Sequence, residues 1–371
     1  MNIEKIFRRV IYLDLLKILK ERNLPALRSR DEMIKILLDE EYGYLPNTEY
    51  RVSVSEPEII ERRYHVGTAV HSLVNMTVSS AYGEHTFAIN RVLHVDGKKR
   101  PFFVLINFSD KVPDKYYPTE EIAENDFDVL TVYHGDITSD DGDFKNGLAG
   151  VLLENGQSDE RTCGKIMIWA FAASRILDYA ETLPCLDMNE AAVVGHSRLG
   201  KTALVAGMLD TRFKYVISND SGCSGAALCR GNLGVTGKTG AGGKTGETIR
   251  DITRNFPFWF CKRYLSYAGK CIPDGFDQHY LLASVAPRHV YVASALYDDW
   301  ADPDSELLSC IAATPAYEAL GALGLVYSGY PKTGEGLHEG RIGYHRSNSH
   351  HFLSRHDWNK YMEYINRHKC K

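Results

Sequence analysis

The chain of 371 residues reads as an α/β protein with a mostly parallel central sheet covered by helices on both faces. Antiparallel strands and an N-terminal helical extension precede that sheet. Two observations carry the reading. Short continuous apolar runs alternate with helical patterns, as in parallel sheets buried on both faces. The stretch Ala191-Ala-Val-Val-Gly-His-Ser-Arg-Leu-Gly-Lys-Thr-Ala-Leu204 also combines a buried strand, a glycine-permitted sharp turn and a small-residue helix in fourteen consecutive positions.

Taken in order, residues 3 to 20 place Ile6, Val10, Ile11, Leu15 and Ile18 at helical spacing, and Ser29 to Asp39 does so again behind a Ser or Asp cap. These helices define an N-terminal extension over 1–45, with 46–371 as the main domain. From Tyr50 to Val95 the pattern turns to period two, rich in β-branched residues, which predicts antiparallel strands. Pro101–Phe108 and Asp128–Tyr133 are apolar strand runs, with a helix over Pro118–Asn125 between them. A long helix follows over Gly164–Leu183, then the strand at 191–194, the helix Gly200–Met208, strands at Tyr215–Ser218 and Arg288–Ser294, and a last helix over Asp357–Lys369. Two stretches are loop-like: Asp136–Gly147, rich in Asp and Gly, and Gly231–Gly246, rich in Gly, Lys and Thr.

Composition narrows the function class. Apolar residues make up 44% and charged residues 25%, enough for a substantial core and no sign of disorder. A net charge of -5 with no basic block gives no attraction to nucleic acid or to anionic membranes. The eight cysteines are scattered, without a C-x-x-C pair or zinc spacing, and read as reduced core thiols. Charge is mixed into the first sixteen residues and no eighteen-residue apolar run exists, so a cytoplasmic location is expected. Small-molecule partners fit best, with no nucleic acid and no membrane; the oligomeric state is open.

The 191–204 stretch has the form of a nucleophile elbow, which lifts the Ser197 hydroxyl to the carboxyl edge of the sheet and aims helix-start amides at a forming anion. In the alternative reading, Ser197 merely caps its helix. The usual pattern is Gly-x-Ser-x-Gly, whereas here Leu199 holds the second glycine position and Gly200 follows. A serine nucleophile needs a base and an acid that holds the base, in the order Ser, acid, His for this fold. Two strand-end acids qualify: Asp220, in Ile217-Ser-Asn-Asp-Ser-Gly222, and Asp299, in Ala295-Leu-Tyr-Asp-Asp-Trp300. The loop before the last helix offers His345, His350 and His351, with His356 at the helix start; its position favours His350 or His351. Gly240-Ala-Gly-Gly-Lys-Thr245 lacks the first glycine and the lead-in strand of a phosphate-binding loop, so nucleotide binding is not expected. Asp136, Asp140, Asp141 and Asp143 have the composition of a calcium loop without its spacing, and read as a turn-rich loop. As a loop following a central strand, it lies at the same sheet edge as the elbow and can shape the pocket.

Several segments together resemble the glucuronoyl esterases, carbohydrate esterase family 15 of the α/β-hydrolase fold, and their bacterial relatives. They are Trp169–Asp178, Gly195–Lys201, Ser218–Gly222, Gly246-Glu247 with Asn255–Phe260, and Asp298–Pro303, within roughly residues 100 to 365. The resemblance implies an α/β-hydrolase fold and a serine esterase acting through an acyl-enzyme, without metal or organic cofactor. Ser197 matches the nucleophile and Arg198 the arginine that helps hold the oxyanion. Asp220 matches the acid position, where the family usually has glutamate; Asp299 matches the alternative acid, and His350 the base. Lys201, Glu247 and Trp300 match positions contacting the sugar. The implied substrate is a small-molecule or oligosaccharide ester, either a uronate ester or a sugar acyl ester. The alternatives are an acetyl xylan esterase-like deacetylase and a non-catalytic carbohydrate-binding protein with this fold.

Overall fold

The computed structural model describes residues 15–231, 246–270 and 273–369. The start of the predicted helix over 3–20 and nearly all of the Gly-Lys-rich stretch, 232–245, lie outside them; residues 15–21 are helical. The strands are β1 Tyr50–Val54, β2 Glu58–Tyr64, β3 Ala69–Ser80, β4 Gly83–His94, β5 Arg100–Asn107, β6 Asp128–Tyr133, β7 Leu186–His196, β8 Tyr215–Asn219, β9 His289–Ala295, β10 Gly336–Leu337 and β11 Ile342–Ser347. They form one sheet in the order β1-β3-β4-β6-β5-β7-β8-β9-β11-β10, with β2 also paired to β3. Pairing is antiparallel from β1 to β4, across β4/β6 and at β10/β11; the block β6-β5-β7-β8-β9-β11 is parallel. This is the α/β-hydrolase architecture expected from the sequence.

Helices of eight residues or more among the described residues are α1 Arg30–Leu37, α2 Lys165–Ala180, α3 Arg198–Leu209, α4 Pro303–Glu318 and α5 Arg355–His368. Alternation along the buried strands feeds two cores. Val104, Val193, Val216 and Val290 point to the face covered by α2, α3 and α4, with Trp169, Leu204 and Leu308 among them. Phe103, Val194, Ile217 and Tyr291 point the other way, against Trp358, Tyr361 and Ile365 of α5. Both faces are therefore apolar, which explains the unbroken runs in sequence. Helix α1 is started by a Ser29 and Glu32 capping box, buries Met33 and Leu37, and is tied down by Arg30, which donates to the Ser284 and Met208 carbonyls at 2.8 Å each. No helix among the described residues is long and apolar enough to cross a membrane.

Two elements escape the sequence patterns. Helix α4 buries most of its residues on nearly all sides, so it shows no apolar stripe. Strand β11 carries the polar run Tyr344-His-Arg-Ser347 and reads as loop, yet all of it is buried. Its polar groups are paired: His345 with Asp357 at 2.8 Å and Tyr291 at 3.0 Å, and Arg346 with Asp304 at 2.7 Å.

Candidate active site

At the end of β7 the chain reverses through Ser197, at φ 58°, ψ -127°, and enters α3 one residue later. Such a conformation costs a non-glycine residue on the order of 1–3 kcal/mol and persists only where its surroundings enforce it. Here the Ser197 amide donates to the Asn219 carbonyl at 2.8 Å, and Gly195 lets the Leu199 carbonyl pack where a Cβ would stand. Gly200 packs against the Gly195 and Asn219 carbonyls, close enough that a Cβ would lie 3.1 Å from both. Leu199, at the usual second glycine position, instead points into the core and is fully buried. The elbow thus uses Gly-x-Ser-x-x-Gly with its crowding moved one residue along the helix.

Ser197 opens onto a cleft of about 480 Å³ lined by Phe108, Tyr116, His196, Arg198, Lys115 and His351, among others. His351 comes from the loop between β11 and α5, and its Nδ1 lies 2.5 Å from Asp298 Oδ2. A carboxylate only accepts, so Nδ1–H donates and Nε2 is left to face the cleft as an acceptor. Asp298 is 6% exposed and also accepts from the Ala301 amide at 3.2 Å.

The neighbouring candidates, His350 and Asp299, do not line the cleft: both are exposed, and the His350 ring lies against Tyr297 with centroids 5.4 Å apart, whereas His351, also exposed, is bonded to the buried Asp298. Both pairs lie beyond the strand ends, where the two loops are joined by Leu296 N to Ser347 O, 2.9 Å, and Tyr297 N to Ser349 O, 3.0 Å, and the Asp298 amide closes a turn onto the Ala295 carbonyl at 3.1 Å. That turn buries Asp298 and leaves Tyr297 and Asp299 exposed. The histidine and carboxylate that the structure brings together at the cleft are thus the neighbours of the expected His350 and Asp299.

Asp220 follows β8 and is 2% exposed. It makes no hydrogen bond to His351; Oδ1 accepts from the Ala295 amide at 2.7 Å and Oδ2 from the Phe352 amide at 3.3 Å. It therefore ties together the backbones that carry Asp298 and His351. Burial, with Glu306, Asp298 and Asp357 nearby, holds its carboxyl well above the usual carboxylate range. Asp220, Asp298 and His351 are grouped with their polar atoms within 4.8 Å of one another. Two ligands of one zinc ion stand about 3.3 Å apart, so the 2.5 Å between His351 and Asp298 is a hydrogen-bond spacing, with no room for an ion between the two atoms.

His196 was not singled out in sequence, although it adjoins the serine. Its ring lies 4.5 Å from that of His351, and its Nδ1 is 2.6 Å from Asn219 Oδ1. Burial first, then the neighbouring His351, lowers its pKa to about 3, so it stays neutral beside His351.

Arg198 lines the cleft on the other side. Its guanidinium carbon lies 4.9 Å from the Trp259 ring centre, 5.4 Å from Phe108 and 5.7 Å from Phe256. Its Nη1 donates to Asp140, on the acidic loop after β6, and the other oxygen of Asp140 accepts from Trp259 Nε1 at 2.6 Å. Trp259 lay in a quoted segment without a role, and Asp140 in a loop expected only to shape the pocket.

Lys201 is 4% exposed and does not line the cleft; its ammonium donates to the Ser221 carbonyl. Its charge acts on three buried carboxyls, Glu41, Glu247 and Glu306, each raised by burial to about 7. Glu247 donates its amide to the carbonyl of Trp300 at 2.8 Å, and Trp300 is 51% exposed. The expected sugar contacts thus divide into a buried Lys201, a buried Glu247 and an exposed Trp300.

The Glu41 carboxyl is fully buried and accepts from Gln278 Nε2 at 2.9 and 3.2 Å. Between its unfolded pKa of 4.5 and about 7 the native state keeps a proton that the unfolded state has lost, so Glu41 destabilises the fold as pH rises through that window. Glu41→Gln is expected to gain stability relative to the parent from pH 4.5 to pH 7, by up to about 3 kcal/mol. Denaturant midpoints at pH 5 and pH 7.5 measure it; a pH-independent difference between the two proteins would contradict the assignment.

Comparison with known proteins places this geometry. A family model described as glucuronyl esterase, fungi, matches residues 77–321. The carbohydrate esterase MZ0003, from an unknown prokaryotic organism, is 39% identical over 251 residues, 67% of this chain and 55% of its own length. The 4-O-methyl-glucuronoyl methylesterase 1 of Wolfiporia cocos is 29% identical over 228 residues, 60% of this chain and 53% of its own. The chain therefore matches a little over half the length of these relatives. Among solved structures, a promiscuous CE15 esterase from a marine bacterial metagenome superposes with a TM-score of 0.78 at 31% identity, over 92% of this chain and 91% of that one. The glucuronoyl esterase of Solibacter usitatus gives 0.79 at 27% identity, over 91% and 92%.

Proposed function

From membership in the glucuronoyl esterase family, to which this chain belongs, we propose that the protein is a serine hydrolase cleaving a carbohydrate ester, with a uronate ester as the preferred class. The observation that carries the mechanism is the His351–Asp298 hydrogen bond at the cleft onto which Ser197 opens. His351 Nε2 takes the Ser197 proton as Oγ attacks the ester carbonyl. Asp298 holds the imidazole in the tautomer that leaves Nε2 free and stabilises the imidazolium that forms. The Arg198 amide at the start of α3, together with the Arg198 side chain, receives the oxyanion. The alcohol leaves with the proton from His351, and water activated by the same nitrogen releases the acid and restores Ser197.

Neutral His196 puts no second positive charge beside the imidazolium. Asp298, bonded directly to His351, is the acid in this reading. Asp220, whose ionised form burial disfavours, holds the two loops in place. Of the residues that the resemblance assigns to the sugar, Trp300 is the exposed one, and its indole offers a flat face for a ring. The six free thiols among the described residues support a reducing, cytoplasmic setting.

The test is a panel of methyl and benzyl glucuronate against acetylated xylo-oligosaccharides and short acyl nitrophenyl esters, with Ser197→Ala as control. Turnover of the glucuronates at least about tenfold above the acetyl esters is expected, falling by about 10³-fold or more in Ser197→Ala. Preference for the acetylated sugars would replace the uronate ester by a sugar acyl ester. Activity retained in Ser197→Ala would sink the mechanism.

A further inference from the structure

We propose, on the esterase reading above, that Asp140 is a positioning residue that fixes the Arg198 guanidinium for oxyanion binding before substrate arrives. The acidic loop divides its work. Asp141 and Asp143 turn back on the loop, accepting from the Asp143 and Lys145 amides at 2.9 and 2.8 Å, while Asp140 alone of the three reaches across to Arg198 and Trp259. The loop itself is braced from behind. Lys165, the first residue of α2, donates to Thr138 Oγ1 at 3.0 Å and the Asp143 carbonyl at 2.6 Å. Asn146 Oδ1 accepts from the Ser139 amide at 2.9 Å, and Trp169 Nε1 donates to the His134 carbonyl at 3.1 Å.

A braced loop is a rigid place from which to hold a long side chain. Arginine loses much rotamer freedom when ordered, and a donor that must be ordered during the reaction contributes less than one already in place. Asp140 meets that need from the distal end: it takes Nη1, and the aromatic rings of Trp259, Phe108 and Phe256 confine the guanidinium plane. Arg198 Nε is then left buried without a hydrogen-bond partner among the described residues. Buried donors are nearly always paired. That nitrogen is closed to the substrate as it is to water, so the partly exposed remainder of the guanidinium, on a cleft-lining residue next to the nucleophile, is the part that can meet the carbonyl oxygen as it becomes an oxyanion. Because Asp140 also accepts from Trp259, it sets the ring and the guanidinium relative to each other.

A double-mutant cycle on kcat and KM for methyl glucuronate tests this, using Asp140→Ala, Arg198→Ala and the double variant. Asp140→Ala should lower kcat about 10- to 100-fold with KM changed less than about threefold. In the Arg198→Ala background the same substitution should cost less than about twofold. Asp140→Asn keeps an acceptor for Trp259 without the charge, and should fall between the parent and Asp140→Ala; it takes over the cycle if thermal melting shows Asp140→Ala unfolded. An equal loss in both backgrounds, or no loss of kcat in the parent background, overturns the proposal alone. A parent protein with no turnover of any ester would overturn the esterase reading together with it.

Discussion

Replacing His351 with alanine is expected to lower kcat/KM for the ester substrate by about 10³-fold or more, while His350→Ala stays within about threefold of the parent. The asymmetry rests on direction, since the two residues are neighbours in one loop. His351 bonds Asp298 and lines the cleft with Ser197, whereas His350 faces solvent beside Tyr297. Removing the base leaves oxyanion binding and substrate positioning intact, so residual activity above the uncatalysed rate is expected. Circular dichroism should be unchanged in both variants; melting should be unchanged in His350→Ala and lowered in His351→Ala, which leaves the buried Asp298 carboxylate without that partner. Equal losses at both positions, or a larger loss at His350, would contradict the placement.

The second large effect belongs to the acid. Asp298→Asn is expected to lower kcat by about 10²- to 10⁴-fold, because an amide can donate to Nδ1 and so favour the wrong tautomer. Asp299→Asn, on an exposed residue, should remain within about twofold. Asp220→Ala should show mainly as lost stability, about 1–3 kcal/mol, because it leaves the buried Ala295 amide and the Phe352 amide without their acceptor. Its effect on kcat should be smaller than that of Asp298→Asn. Kinetics and denaturant unfolding on the three variants separate these roles; a larger kcat loss at Asp220 than at Asp298 would move the acid to the strand before.

The sheet was legible because burial on both faces writes itself into sequence as unbroken apolar runs; the run at 128–133 coincides with β6. The elbow was legible for a different reason: Gly195 is fixed by backbone crowding that no other residue tolerates cheaply, and Gly200 packs tightly against two carbonyls. What could not be read was anything set by strand pairing between distant segments. Asp298 beside Asp299 and His351 beside His350 present the same chemistry twice, and the contacts that distinguish them, between the loops that follow β9 and β11, join segments far apart in the chain. β11 itself was hidden because its polar residues are satisfied by partners far along the chain, such as Asp357 for His345 and Asp304 for Arg346. The same holds for Asp140 and Arg198, 58 positions apart, whose meeting no local pattern announces.

One measurement tests the central claim directly: intact-mass analysis after treatment with a fluorophosphonate probe, followed by peptide mapping. A serine activated by the His351–Asp298 pair should take up one adduct per chain, located at Ser197. Labelling should be slowed by about 10²-fold or more in His351→Ala and unchanged in His350→Ala. Labelling that maps to another serine, or that proceeds at the parent rate in His351→Ala, would contradict the account.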